Sequence, residues 1–81
     1  MIQEYFLIVS RLVPYKRIDI AIEACNKLNL SLKIIGSGSS ERYLKSIAGS
    51  TIEFLGNLTD SELVGYYKNC QALIFPGIED F

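Results

Sequence analysis

Apolar residues fall along the chain in two alternating rhythms. Tyr5 to Val9 is an unbroken apolar run of strand length, rich in aromatic and branched side chains. Such a run predicts a strand covered on both faces. From Lys16 to Leu28 the rhythm changes. Ile18, Ala21, Ile22, Cys25 and Leu28 recur at helical spacing, Arg17, Asp19, Glu23, Asn26 and Lys27 take the other side, and Asn29 ends the segment. The pair then repeats. Ser31 to Ile35 is a strand, Gly36-Ser37-Gly38-Ser39-Ser40 a sharp turn, and Glu41 to Ala48 a helix with Leu44, Ile47 and Ala48 inward. Ser39 or Ser40 is placed to cap this helix and Gly49 to stop it.

Thr51 to Leu55 is a third strand, and Gly56-Asn57-Leu58 a turn. Thr59-Asp60-Ser61-Glu62 has the form of a capping box, with threonine at the N-cap and glutamate three residues on. Leu63, Tyr66, Tyr67 and Cys70 mark the apolar face of the helix it opens, and Gln71 to Phe75 is a fourth strand closed by Pro76. Strands alternating with helices over short links imply parallel pairing and right-handed crossovers. The expected fold is α/β: a Rossmann-like βαβαβαβ half with strand order 3-2-1-4 and helices on both faces. Residues 1–81 make a single domain with no room for a second.

Composition adds limits. A chain of 81 residues buries only about 60–65% of its unfolded surface, so its core is thin. Yet 49% of residues are hydrophobic, which suggests apolar surface meant to be covered by further chain. The net charge of −1 leaves no basic footprint for a nucleic acid or an anionic membrane, so anion recognition has to be local. Cys25 and Cys70 sit at apolar helical positions and read as free buried thiols in a reducing, cytosolic setting. With no histidine and no carboxylate cluster, neither a metal site nor a histidine-based catalytic triad is expected. The residues show no apolar run of membrane-spanning length and no signal-peptide pattern, so the expectation is a segment that neither spans a membrane nor is exported by itself.

In a sheet of order 3-2-1-4, ligands bind beyond the carboxyl ends of the strands, where the order reverses between strands one and four. Two loops meet there, Ser10 to Lys16 and Pro76 to Phe81. The first carries Arg11 and Lys16. An arginine fork grips two phosphate oxygens and a lysine adds a point charge, so the pair reads as an anion site. Glu79 stands over the same crevice, placed either to bind sugar hydroxyls or to cap a following helix, with Asp80 competing for either role. Gly36 and Gly38 read equally as a tight turn or as close approach to a nucleotide. They are not the dinucleotide fingerprint, which follows the first strand and needs a third glycine.

The segments SRLVPYKR, IIGSG, IEFLGNL and IFPGIEDF, in this order and at these separations, resemble the start of the C-terminal, donor-binding domain of group 1 retaining glycosyltransferases of the GT-B class. The PGIEDF form is similar to mannosyltransferases of surface-polysaccharide synthesis. The resemblance implies a nucleotide-diphospho-sugar donor, first of all GDP-mannose, a glycan or lipid-linked acceptor, and no separate cofactor. By match, Arg11 and Lys16 hold the donor diphosphate. Glu79 is the first glutamate of the E-x7-E motif and contacts the transferred sugar. The loop from Gly56 to Asp60 reads the base largely by backbone, with Leu58 nearest, and Gly36 and Gly38 line the same cleft.

The second glutamate of that motif would fall past Phe81. The expectation is therefore a fragment, inactive alone, whose open strand 72–75 invites self-association. Another nucleotide-sugar enzyme such as an epimerase, and a non-catalytic flavodoxin-like interaction module, remain as alternatives.

Overall fold

The computed structural model describes residues 5–70 and 72–73. Strand β1 (Phe6–Val9) leads through a 3-10 turn (Pro14–Lys16) to α1 (Ile18–Leu28). Then come β2 (Leu32–Ile35), α2 (Glu41–Ile47), β3 (Ile52–Gly56), α3 (Asp60–Asn69) and β4 (Ala72–Leu73). All pairings are parallel and the sheet runs β3-β2-β1-β4. Phe6 opposes Leu32 on one side and Ala72 on the other. This is the Rossmann-like α/β architecture expected from the alternating rhythms.

The period-2 alternation of β1 divides the core in two. Ile8, Leu32 and Ile34 face α1 and α2, where Leu12, Ile18, Ala21, Ile22, Cys25 and Leu44 close over them. Tyr5, Leu7 and Ile35 face the other way, toward Leu63, Tyr66 and Cys70 of α3. Burying each large aliphatic here contributes about 1.5–3 kcal/mol. The second cluster is thinner, and no residue of α3 is fully buried. One hydrogen bond and one ring contact help to seat this helix. Tyr5 donates its hydroxyl to the Tyr66 carbonyl at 2.8 Å, and the two rings meet edge-to-face at 6.2 Å.

The Thr59–Glu62 capping box forms as its sequence dictates. Thr59 N–H donates to Glu62 Oε1 at 2.9 Å, and Glu62 N–H donates to Thr59 Oγ1 at 3.3 Å. Bonds to the Thr59 amide and hydroxyl hold the Glu62 carboxyl below the usual carboxylate range. A side-chain hydrogen bond from Arg17 does the same for Asp19. A carboxyl depressed in the folded state stabilises the fold above its unfolded value and loses that contribution as the pH falls through the folded one. Stability should therefore decline as the pH falls below about 4, the ordinary carboxylate range. The melting temperature of Glu62→Gln should fall less between pH 7 and pH 3 than that of the wild type. An equal fall in both would show that the box has no electrostatic role.

Several local expectations differ from the structure. Helix α1 starts at Ile18 rather than Lys16, because Pro14 opens a 3-10 turn that ends at Arg17 in the left-handed region (φ 53°). Lys16 thus belongs to the turn. Leu28, expected inward, is 65% exposed, and Tyr67 is 42% exposed. Both lie too far round their helices to reach the sheet. Ser40 occupies the N-cap of α2 with no side-chain cap bond. Its own N–H is instead held by the Leu12 carbonyl at 2.8 Å. Cys70 is half-buried, whereas Cys25 is buried, and both are free thiols.

Helix α2 ends at Ile47 with Ala48 extended, so Gly49 does not stop it by a left-handed cap. The end is tied down from outside. Asn26 donates to the Ile47 carbonyl at 2.8 Å and accepts from the Gly49 N–H at 2.8 Å. One exposed amide thus satisfies two backbone groups at a helix end that lack helical partners. Asn26→Ala should cost about 1–2 kcal/mol in chemical denaturation, at the net value of two such bonds. An unchanged midpoint would mean that water replaces the amide without loss.

Of the fourth strand expected over 71–75, Ala72–Leu73 forms the described part, and it borders β1. Residues 74–81, with Glu79 and Asp80, lie outside the described residues.

Candidate functional site at the carboxyl ends of the strands

Parallel strands direct their carboxyl ends to one side of the sheet, so three loops gather there. Loop 10–17 follows β1, loop 36–40 follows β2, and loop 57–59 follows β3. They are stitched together by backbone. Ser10 N–H donates to the Ile35 carbonyl at 3.0 Å, and Leu12 N–H to the Ser37 carbonyl at 3.0 Å. Ser40 N–H donates back to the Leu12 carbonyl at 2.8 Å, and Gly36 N–H to the Gly56 carbonyl at 2.8 Å. Asn57 Nδ2 reaches Ser37 Oγ at 3.1 Å. Together these bonds make one continuous rim.

Helices α1 and α2 pack on one face and α3 on the other, so the winding of the chain reverses between β1 and β4. Crevices at such a reversal are where open α/β sheets bind ligands. Arg11 lies on the β1 side of that position and is exposed. Its carbonyl accepts from Ser10 Oγ at 3.0 Å, while Leu12 beside it is wholly buried. Lys16 is half-buried on the same loop, with its ammonium 5.4 Å from the centre of the Tyr15 ring. A compact loop with an exposed guanidinium and a nearby ammonium can take an anion with several oxygens.

Gly36 has φ +133°, and a β-carbon there would stand 1.9 Å from the Ser10 carbonyl oxygen. At Gly38 a β-carbon would stand 2.3 Å from the Leu12 carbonyl oxygen. These glycines are therefore required by the approach of another loop's backbone, a third reason beside the tight turn and the nucleotide. Gly56 has φ +71° and faces open space. Leu58 packs its side chain against the second core cluster, which leaves its backbone on the rim. Asp60 is exposed at the first residue of α3.

Two features of this end were not read from the sequence. Leu12 anchors the loop that carries both cations; its only local signal is a lone aliphatic residue among loop residues. Arg17 is occupied by Asp19, with Nε to Oδ1 at 3.1 Å and Nη2 to Oδ2 at 3.4 Å. The bond to Asp19 raises the Arg17 pKa further, so this third cation of the loop stays charged and engaged. It lies in a groove of about 430 Å³, shared with Pro14, Ile18, Ser39, Ser40 and Tyr43. Among the described residues no group of three or more acidic, cysteine or histidine side chains is placed to hold a metal ion. No described helix is long and apolar enough to cross a membrane.

Residues 2–80 match the family model for glycosyl transferases group 1. The chain is also 30% identical over 74 residues to a protein of Methanocaldococcus jannaschii described as an uncharacterized glycosyltransferase. That match covers 86% of this chain and 21% of the relative, so the chain spans about a fifth of the length of the curated relative it matches. With a family match running over nearly its whole length, the chain belongs to the group 1 glycosyl transferases.

Proposed function

We propose that this chain supplies the leaving-group side of the donor site in a retaining, GT-B-type glycosyltransferase. The observation that carries the proposal is the exposed Arg11, on a loop fixed at the carboxyl end of β1 where the sheet's winding reverses. In this reading Arg11 and Lys16 hold the diphosphate of a nucleotide-diphospho-sugar. The rim from Gly56 to Asp60 meets the base, with the Leu58 backbone nearest, and Glu79 contacts the sugar. GDP-mannose is the first donor to try, and a glycan or lipid-linked glycan is the acceptor class. The reaction needs no cofactor beyond the donor. The edge position of β4 also makes pairing with a second copy through residues 72–75 part of this reading when the chain stands alone.

Chemistry supports the assignment. As the glycosidic bond breaks, negative charge grows on the departing diphosphate. Fixed cations therefore stabilise the transition state more than the ground state. Calorimetric titration of the full-length protein tests the reading. Nucleoside diphosphates should bind more tightly than the nucleoside, and the difference should shrink with added salt. Equal affinity for the two, or no binding of either, would overturn the assignment and favour a non-catalytic module.

A further inference from the structure

We infer that Gly38 is a positioning residue for Arg11, acting through the buried backbone of Leu12 rather than by touching the ligand. The inference rests on the reading of Arg11 as a diphosphate contact. Arg11 is exposed, but the residues on either side of it are not free to move. Ser10 is held by Ile35, and Leu12 is held twice, by Ser37 and Ser40. The Leu12 side chain is wholly buried in the larger core cluster. The guanidinium thus projects from a peptide segment clamped before and after.

Loop 36–40 supplies the clamp, and its fit depends on the missing side chain at Gly38. A β-carbon there would lie 2.3 Å from the carbonyl oxygen, 2.7 Å from the carbonyl carbon and 2.8 Å from the amide nitrogen of Leu12. All three atoms are backbone, so no side-chain rotation relieves the overlap. An added methyl has to push the peptide that follows Arg11. A displacement of about 1 Å in a group aimed at a reacting centre can cost about a hundredfold in rate. Gly38 therefore serves the site through the place it gives Arg11.

A double-mutant cycle on the full-length protein separates this from a direct contact or a purely structural role. Affinity is measured for a nucleoside diphosphate and for the matching nucleoside in wild type, Gly38→Ala, Arg11→Ala and the double variant. Gly38→Ala should weaken the diphosphate about tenfold or more and leave the nucleoside unchanged. In the Arg11→Ala background the same substitution should add nothing. Additive losses would show that Gly38 meets the ligand itself and would overturn the inference. So would a folded Gly38→Ala that binds the diphosphate normally; in both cases Arg11 keeps its role. If Arg11→Ala alone binds normally, the underlying reading fails and the inference with it. Should Gly38→Ala not fold, Leu12→Val trims the anchor by one methylene. It should give a smaller, diphosphate-selective loss that also vanishes with Arg11 absent, and a loss that persists there overturns the inference.

Discussion

Gly36→Ala should be the most destabilising single-methyl substitution in the described structure, at about 3–5 kcal/mol. Two independent costs combine. The φ of +133° is a backbone conformation that a residue with a β-carbon rarely adopts. The added carbon would also stand 1.9 Å from the Ser10 carbonyl oxygen, well inside contact distance. Relief requires moving the end of β1 away from β2, and that movement would break the bond from Ser10 N–H to the Ile35 carbonyl. A domain of this length is held together by only about 4–12 kcal/mol, so the substitution removes a large part of it. Gly56→Ala is the matched control. Its φ of +71° carries a conformational cost of about 1 kcal/mol, and nothing lies within 4 Å of the new carbon. Urea denaturation of both variants should show the large gap; equal midpoints would mean that the loops part without cost.

If Arg11 holds the leaving diphosphate as proposed, Arg11→Ala should lower glycosyl transfer by the full-length protein by about a hundredfold or more. The fold should barely respond. Exposed side chains away from caps and strained turns usually change stability by less than about 0.5 kcal/mol. Arg11→Lys should recover only part of the loss, because an ammonium cannot reproduce the two-pronged grip of a guanidinium on phosphate oxygens. Lys16→Ala should also lower turnover. Its ammonium stands over the Tyr15 ring, so this substitution also removes a cation–π contact and should lower stability slightly. Near-normal turnover in both alanine variants would remove the leaving-group role from this loop.

The strands and the third helix were legible because their signals are local. Tyr5 to Val9 is apolar on both faces, and the structure has a core on each side of it. The Thr59–Glu62 box is written within four residues and closes within them. What escaped the sequence depends on partners far along the chain. Asn26 looks like a surface residue on a polar helix face, and its role appears only when the end of α2 arrives beside it. Gly36 and Gly38 are plainly a turn, but their necessity comes from the backbone of Ser10 and Leu12. The start of α1 is not legible in the sequence, because Pro14 suits the first turn of an α-helix and of a 3-10 turn alike, and only the left-handed Arg17 separates them.

The candidate site shows the same division. Placing Arg11 and Lys16 beyond β1 needed only strand order and spacing. The anchoring of their loop by Leu12 needed three-dimensional contacts, as did the engagement of Arg17 with Asp19.

A crystal structure of the full-length protein with a bound nucleoside diphosphate would show whether the loop after β1 holds the leaving group. Diphosphate oxygens should lie within about 3 Å of the Arg11 guanidinium and the Lys16 ammonium, beyond the carboxyl end of β1. A diphosphate seated instead in the groove beside Arg17 and Ser40, or anywhere out of reach of Arg11, would contradict it.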